Sequence, residues 1–346
     1  MKKISFIQDL RGIAALLVLY THTTNFVYKR LTLMGDTRIS DIDISLSSFG
    51  DIGVDIFFII SGIVMAISLM SRKVTPIQFL KKRAIRILPI YYFYSAILMF
   101  SIIIVGKVGI DYEKLIFSIF FLPVNIDNYV FLAFLGPGWT LNYEVFFYIL
   151  IAIGLSLIKN LNNALLFVVL LILVLIIGGC FFKPSADSIG YFYTNSILIE
   201  FALGLIIGII IKKSKGKIAS FKYGLLLLLL LVLLVTKYFE FEIVQLTPYR
   251  GFLYGSIACV FIMVYATFNK SWRLLYKIGE ISYTLYLAHL AFVLQGTWKF
   301  LLYFKVETFL NFYLLVFLVM FIVVLISFPL YSLVEKKLNI YFNKYN

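Results

Sequence analysis

Charged and imidazole side chains occur at several positions inside apolar stretches of this chain. Such groups are costly in an apolar environment unless they are paired or hydrated, so each is a candidate for a functional role. His22 follows Arg11 by eleven residues in the first apolar stretch, which is roughly three helical turns and places both on one face, about 16 Å apart. Asp55 and Glu144 lie early in the second and fourth stretches. An imidazole near a carboxylate is suited to general acid–base chemistry, so the candidate catalytic residues are His22, Glu144 and Asp55.

Two arginines one helical turn apart, Arg83 and Arg86, begin the third apolar stretch. Guanidinium groups bind phosphate oxygens in a bidentate manner, so a pair on one helix face is suited to a phosphorylated ligand. Basic residues at the end of a membrane helix also set its orientation. The spacing alone leaves both roles open.

A polar stripe in the ninth apolar stretch contains Ser282, Tyr286 and His289 at helical spacing. His289 is either reactive or structural, and its spacing does not decide between the two roles. His22 could likewise bond a neighbouring helix, and the two acidic residues could hold the helices together through salt bridges. The residue pattern by itself therefore predicts a polar-lined cavity within a membrane protein.

The composition excludes an ordinary soluble domain. Hydrophobic residues make up 62% of the 346 residues, charged residues 14%, and the mean hydropathy is +1.00, whereas soluble proteins are about 25% charged. The net charge of +14 is spread in short patches between apolar stretches, which indicates membrane orientation and an anionic ligand and argues against nucleic acid as a partner. Cys180 and Cys259 lie apart in apolar runs, so neither a disulfide nor a zinc site is expected.

Ten stretches are long enough to cross the roughly 30 Å hydrocarbon layer of a bilayer. They are 9–28, 49–71, 85–105, 139–158, 162–181, 194–211, 221–237, 249–268, 281–301 and 310–334. The sequence thus predicts an all-α polytopic membrane protein, a bundle of about ten transmembrane helices. Segment 112–123 is apolar but short, which predicts a re-entrant or interfacial segment. Loops on the side of the N-terminus carry about twice as many Lys and Arg as the opposite loops, which predicts that both termini are cytoplasmic.

The polar residues also match, in order, the motifs of a known family. The matching segments are Arg11 to His22, Gly53 to Gly62, Arg83 to Pro89, Trp139 to Tyr148, Gly279 to His289, and Glu335 with Lys336. Over these segments the chain resembles acyltransferase family 3, the membrane acyltransferases that O-acylate bacterial surface polysaccharides and related glycans. It departs from the family at Ile63, where an aromatic residue is common.

The resemblance implies one integral-membrane acyltransferase domain over residues 1–346, in the bacterial inner (plasma) membrane. It implies acetyl-CoA as the cytoplasmic donor, with no metal. The implied acceptor is a surface polysaccharide or a lipid-linked glycan on the outer side, and the absence of a hydrolase-like outer domain favours the O-antigen of lipopolysaccharide or a similar glycan. Arg83 and Arg86, assisted by Arg11, are then expected to bind the CoA phosphates. The residues expected to bind the acceptor are Trp139, Tyr143 and His289.

The expected reaction uses His22 as the general base on a sugar hydroxyl. Glu144 or Asp55 would orient the imidazole, as the acidic member does in a catalytic triad. Alternatively, His22 itself would be acetylated first and would pass the group on. The sequence does not choose between these routes, and it contains no Gly-x-Ser-x-Gly segment that would offer a serine nucleophile.

A transporter or flippase of a lipid-linked sugar or acyl group is the competing interpretation, because polar residues in the membrane would suit it equally well. Such proteins often contain inverted repeats with matched broken helices, and the sequence shows no internal repeat. A purely structural membrane scaffold would leave the burial of so many ionisable residues unexplained.

Overall fold

The computed structural model describes residues 5–36, 42, 49–72, 74–105, 110–127, 130–214, 247–268, 271–308 and 310–344. Helices dominate these residues, as the composition predicts. They are α1 (Ser5–Leu33), α2 (Ile52–Leu69), α3 (Pro76–Val105), α4 (Tyr112–Ile119), α5 (Trp139–Leu157), α6 (Leu161–Phe182), α7 (Ile189–Thr194), α8 (Ile199–Ser214), α9 (Arg250–Ala266), α10 (Arg273–Glu280), α11 (Ser282–Ala288), α12 (Leu294–Tyr303), α13 (Phe312–Leu330) and α14 (Lys336–Lys344). Two π-helical segments, His289–Val293 and Tyr331–Glu335, join α11 to α12 and α13 to α14.

Six helical segments of the described residues are long and apolar enough to cross a membrane. They are Phe49–Leu69, Pro76–Ile104, Gly136–Leu157, Leu161–Phe182, Ile189–Lys213 and Phe312–Phe342. The predicted first, eighth and ninth spans are helical but fall outside this set, and α9 has only 17 residues. The predicted span 221–237 lies outside the described residues. The helical membrane class is therefore confirmed, and the count of ten is not.

The segment predicted to be re-entrant or interfacial forms helix α4 and leads into a hairpin. Asp111 caps α4 by accepting a 3.0 Å hydrogen bond from the backbone N–H of Lys114, and the eight-residue helix is too short to cross a bilayer. Strands β1 (Val124–Asp127) and β2 (Val130–Leu132) then pair antiparallel. This short hairpin is a local exception within an otherwise helical protein. Strands of four and three residues are too short to show an alternating apolar pattern in the sequence.

Helix α2 is central to the site, because it packs against α1, α8 and α9. It meets α8 at two glycines, Gly62 and Gly204, whose Cα atoms are close enough that a Cβ on either residue would clash with the facing backbone. Small residues at such crossings let helix backbones approach closely and hold the bundle by van der Waals packing. The position of α2 fixes the position of Asp55 and Ser61, which it carries.

We expect Gly62→Ala to destabilise the protein. The added Cβ would lie 2.5 Å from the Phe201 carbonyl oxygen and 2.8 Å from Gly204 Cα, and backbone atoms cannot move aside as a flexible side chain would. Overpacking of this kind costs about 1–3 kcal/mol, which should lower the midpoint of thermal unfolding in detergent. Gly296→Ala is the matched control, because a Cβ there meets no atom within 4 Å. Equal midpoints for the two variants would contradict the close crossing.

Candidate active site

A cavity of about 560 Å³ lies between helices α1, α2, α3, α5 and α11. Its polar wall includes the side chains of Gln8, Arg11, Ser61, Ser68, Arg83, Arg86, Thr140, Glu144, Tyr148, Glu280, Ser282, Tyr283 and Tyr286. The volume falls within the range of 300–1,000 Å³ that is usual for small-molecule sites. We call this space the upper cavity. The charged residues of this cavity come from separate helices, and the fold brings these helices together around it.

A second cavity of about 530 Å³, which we call the lower cavity, adjoins the upper one. Both cavities are lined by Arg11, Ser68, Arg83, Arg86 and Glu280. The lower cavity lies where α2 leads into α3, and it adds Arg72, Lys82, Glu335 and Asn339 to the wall. The two spaces together form a passage whose lower end is strongly basic.

The predicted arginine pair lies where the two cavities meet. The guanidinium carbon of Arg83 is 5.7 Å from the centre of the Phe79 ring and 5.9 Å from that of Tyr148. Its Nε is buried and has no hydrogen-bond partner among the described residues. A buried donor without a partner is costly, and this Nε remains available to a hydrogen-bond acceptor in the cavity. Arg86 is exposed towards the same space.

Glu144 lies in the upper cavity and has partners other than the predicted His22. Its carboxylate accepts a 3.2 Å hydrogen bond from Ser61 Oγ and a short one from the Tyr148 hydroxyl. Arg11 is held in the electrostatic field of Glu144, Arg86 and Glu335. Glu144 therefore balances part of the positive charge of the arginines.

His22 is paired with His289. His22 Nδ1 is 2.7 Å from His289 Nε2, and the ring centres are 4.9 Å apart. His289 Nδ1 is 2.9 Å from the carbonyl oxygen of Leu285. That oxygen can only accept, so His289 Nδ1 carries the proton, and in a neutral ring its Nε2 must accept from His22 Nδ1. This network assigns the lone pair of a neutral His22 to Nε2.

Asp55 belongs to a separate, buried ion pair. Arg250 donates from Nε to one carboxylate oxygen at 3.2 Å and from Nη2 to the other at 3.0 Å. The two residues are 0% and 2% exposed, and neither lines the two cavities. The hypothesis that Asp55 orients His22 is therefore not supported by the structure, because its carboxylate is held bidentately by Arg250.

Comparisons with known proteins identify the family of this chain. A family model described as "Acyltransferase domain" matches residues 4–332. The chain belongs to this acyltransferase family. One curated relative is the exopolysaccharide production protein ExoZ of Rhizobium meliloti (strain 1021), which is 32% identical over 164 residues. That match covers 46% of this chain and 51% of ExoZ, so it spans about half the length of the relative. No solved structure matches the chain.

Two of the three residues expected to bind the acceptor lie in the aromatic core of this protein. The Tyr143 ring stacks on Phe192 at 3.9 Å, and its hydroxyl donates to the Phe192 carbonyl oxygen at 2.7 Å. Trp139 packs edge-on against Phe58 and Tyr143. Neither residue lines the upper or the lower cavity. Their rings fill the interior between α2, α5 and α7.

Tyr286 lies between the upper cavity and the histidine pair. It lines the upper cavity, and its ring centre is 6.2 Å from that of His289. Its hydroxyl lies 2.9 Å from Thr140 Oγ1 and 3.2 Å from the Pro137 carbonyl oxygen. His289 itself is buried and does not line the cavity, so it contacts His22 in place of an acceptor. The upper end of the passage therefore lies next to the two histidines.

Glu335 is a site residue whose position the sequence does not explain. It ends the second π-helical segment, lines the lower cavity, and accepts hydrogen bonds from the backbone N–H and the hydroxyl of Thr284 at 3.1 and 2.5 Å. His289 begins the other π-helical segment. Such segments are rare and occur mostly at functional positions. The sequence singles out Glu335 only through the family motif. The π-helical shift of register at this residue cannot be read from residue spacing.

Proposed function

We propose that this protein is a membrane O-acyltransferase that moves an acetyl group from acetyl-CoA to a hydroxyl of a surface polysaccharide or lipid-linked glycan. The observation that carries the proposal is the pair of adjoining cavities, which is basic at its lower end and is lined in the upper cavity by Tyr286, whose ring centre is 6.2 Å from that of His289. Family membership supports acyl transfer. The similarity to ExoZ, an exopolysaccharide production protein, supports a glycan as the acceptor.

The donor is proposed to enter the lower cavity, with its phosphates at Arg83 and Arg86 and with Arg11 nearby. Guanidinium groups suit phosphate oxygens, and the unpartnered Nε of Arg83 provides a donor for one of them. The upper cavity would hold the pantetheine arm, since its wall is mixed apolar and polar. The thioester would then lie near Tyr286, at the end of the passage that adjoins the histidines.

His22 is proposed to act as the general base through Nε2. It removes the proton of the glycan hydroxyl as that oxygen bonds to the thioester carbonyl carbon. The carbon–sulfur bond then breaks, and the departing sulfur takes the proton from the His22 imidazolium, which gives a glycan ester and free CoA. His289 keeps His22 in the required tautomer and orientation, a role that the acidic residue has in a catalytic triad.

The proposed location is the bacterial inner membrane, with several membrane passes and both termini in the cytoplasm. The distribution of Lys and Arg supports this orientation. In this orientation the lower cavity would lie on the cytoplasmic side, where CoA thioesters occur. His22 would then lie towards the outer side, where an O-antigen-like glycan would approach.

The direct test of this function is release of free CoA by the purified protein. The protein in detergent is supplied with acetyl-CoA, with and without a bacterial surface polysaccharide, and the free thiol is measured. We expect thiol release that depends on both the protein and the polysaccharide. The proposal fails if thiol release is absent with polysaccharides and lipid-linked glycans from the source cell envelope.

We expect His289→Leu to lower kcat about 100-fold, the smaller end of what general base catalysis supplies. Leucine cannot accept the hydrogen bond from the His22 Nδ1–H group, so the tautomer of His22 is no longer fixed. The KM for acetyl-CoA should stay unchanged, because His289 lines neither cavity. In His289→Gln, the amide oxygen can accept that hydrogen bond, so this variant should retain much of the rate. If leucine and glutamine reduced kcat equally, the positioning role would be ruled out.

A further inference from the structure

The lower cavity carries more positive charge than one phosphate group needs. Its wall holds five cationic side chains, Arg11, Arg72, Lys82, Arg83 and Arg86, against two carboxylates, Glu280 and Glu335. Glu335 is already bonded twice by Thr284. The excess of positive charge in this space suits a ligand with several negative charges.

The cations fall into two groups along the passage. Arg83 and Arg86 line both cavities, whereas Arg72 and Lys82 line only the lower one. Arg72 follows the end of α2, and Lys82 lies on α3 one turn before Arg86. Among the described residues, neither Arg72 nor Lys82 has a side-chain hydrogen bond or ion pair. These two side chains are therefore available to a ligand that extends beyond the arginine pair.

Building on the proposed acetyl-CoA donor, we infer that Arg72 and Lys82 bind the 3′-phosphate of its nucleotide, apart from the diphosphate held by Arg83 and Arg86. The order of charges fits the order of groups in the donor. From the thioester, the pantetheine arm leads to the diphosphate and then to the ribose with its 3′-phosphate. The shared wall of the two cavities meets the first phosphate group, and the lower wall meets the second.

This arrangement selects for one chemical class of donor. A phosphopantetheine thioester on a carrier protein has a single phosphate and no nucleotide, so it would leave Arg72 and Lys82 without a partner. A nucleotide thioester with a 3′-phosphate engages both groups of cations. The lower cavity therefore binds the nucleotide part of acyl-CoA, and the acyl group lies in the upper cavity.

The test compares CoA with dephospho-CoA, which lacks only the 3′-phosphate. Binding to the purified full-length protein is measured by calorimetry in a neutral detergent without added lipid. We expect CoA to bind about tenfold more tightly, as one or two charged hydrogen bonds would provide. In the double variant Arg72→Ala/Lys82→Ala, CoA should bind as weakly as dephospho-CoA, and the affinity for dephospho-CoA should stay unchanged.

Control variants separate this contact from general electrostatics. Lys81→Ala removes a neighbouring cation of α3 that lines neither cavity, and it should keep the tenfold preference. Arg83→Ala should weaken both ligands alike. Added phosphatidylglycerol should also leave the preference in place; its loss would assign the two cations to lipid headgroups and overturn the inference.

The outcomes distinguish this inference from the proposed function on which it depends. Equal binding of CoA and dephospho-CoA by the unaltered protein, or a preference that survives in the double variant, would overturn the inference alone. If neither compound bound, the CoA-dependent function itself would fail. Arg72 and Lys82 are exposed, so the double variant is expected to fold, which its thermal unfolding midpoint would verify.

Discussion

Replacing His22 with alanine is expected to reduce kcat for acetyl transfer by about 10²–10⁴-fold, the usual contribution of a general base. The lone pair on Nε2 is lost, and the hydroxyl of the acceptor must attack while still protonated. The measurement is acetyl-CoA-dependent thiol release by purified protein with polysaccharide. His22 lines neither cavity, so the affinity for CoA should be unchanged.

The unchanged affinity serves as the control for correct folding in this experiment. A His22→Ala variant that binds CoA normally but is inactive places the defect in the chemical step. Full activity in this variant would remove His22 from the mechanism. Loss of CoA binding along with activity would instead indicate that the His22–His289 contact shapes the cavity.

The largest expected effect on stability comes from Asp55→Ala. The change leaves the Arg250 guanidinium buried without the carboxylate that now holds it at 3.0 and 3.2 Å. Removing one partner of a buried pair costs about 3–5 kcal/mol. We expect a marked fall in the unfolding midpoint and in the yield of folded protein, measured by denaturant or thermal unfolding in detergent.

The exposed ion pair Lys114–Asp111 provides the matched control, since its nitrogen–oxygen distance is also 3.0 Å. Surface pairs contribute about 0–1 kcal/mol, so Lys114→Ala should leave stability nearly unchanged. If Asp55→Ala were as stable as Lys114→Ala, the ion pair could not be the element that secures α2 to α9.

The sequence was informative about features that depend on a single helix, namely its apolar length and the face on which a residue lies. Apolar length predicted the helical membrane class, and helical spacing predicted that Arg83 and Arg86 share a face. Both arginines and Arg11 line the two cavities, and Glu144 lines the upper one. These predictions depend only on local periodicity, which a helix imposes regardless of its neighbours.

The sequence was not informative about which residues at similar depth become partners. His22 was expected near Glu144 or Asp55, yet it contacts His289, 267 residues away. Asp55 contacts Arg250, 195 residues away. These pairs depend on how the helices are arranged around one another and on the π-helical turn that begins at His289. Neither feature leaves a periodic pattern in the chain.

The same limit applies to Trp139 and Tyr143, which were expected at the acceptor and lie in the aromatic interior. An aromatic residue near a helix end can face a cavity, lipid or another helix, and its type does not decide which. Contacts with Phe58 and Phe192 bury both rings. If His22 acts on the acceptor, residues on the half-buried surface around His22 are the next candidates to bind it.

Transfer of an isotopically labelled acetyl group tests the central claim most directly. The purified protein is placed in lipid vesicles with ¹³C-acetyl-CoA and a surface polysaccharide, and the polysaccharide is analysed by mass spectrometry. We predict labelled acetyl esters on the glycan in an amount equal to the CoA released, and none with His22→Ala. An unlabelled glycan that has crossed the vesicle membrane unchanged would contradict catalysis and identify a transporter.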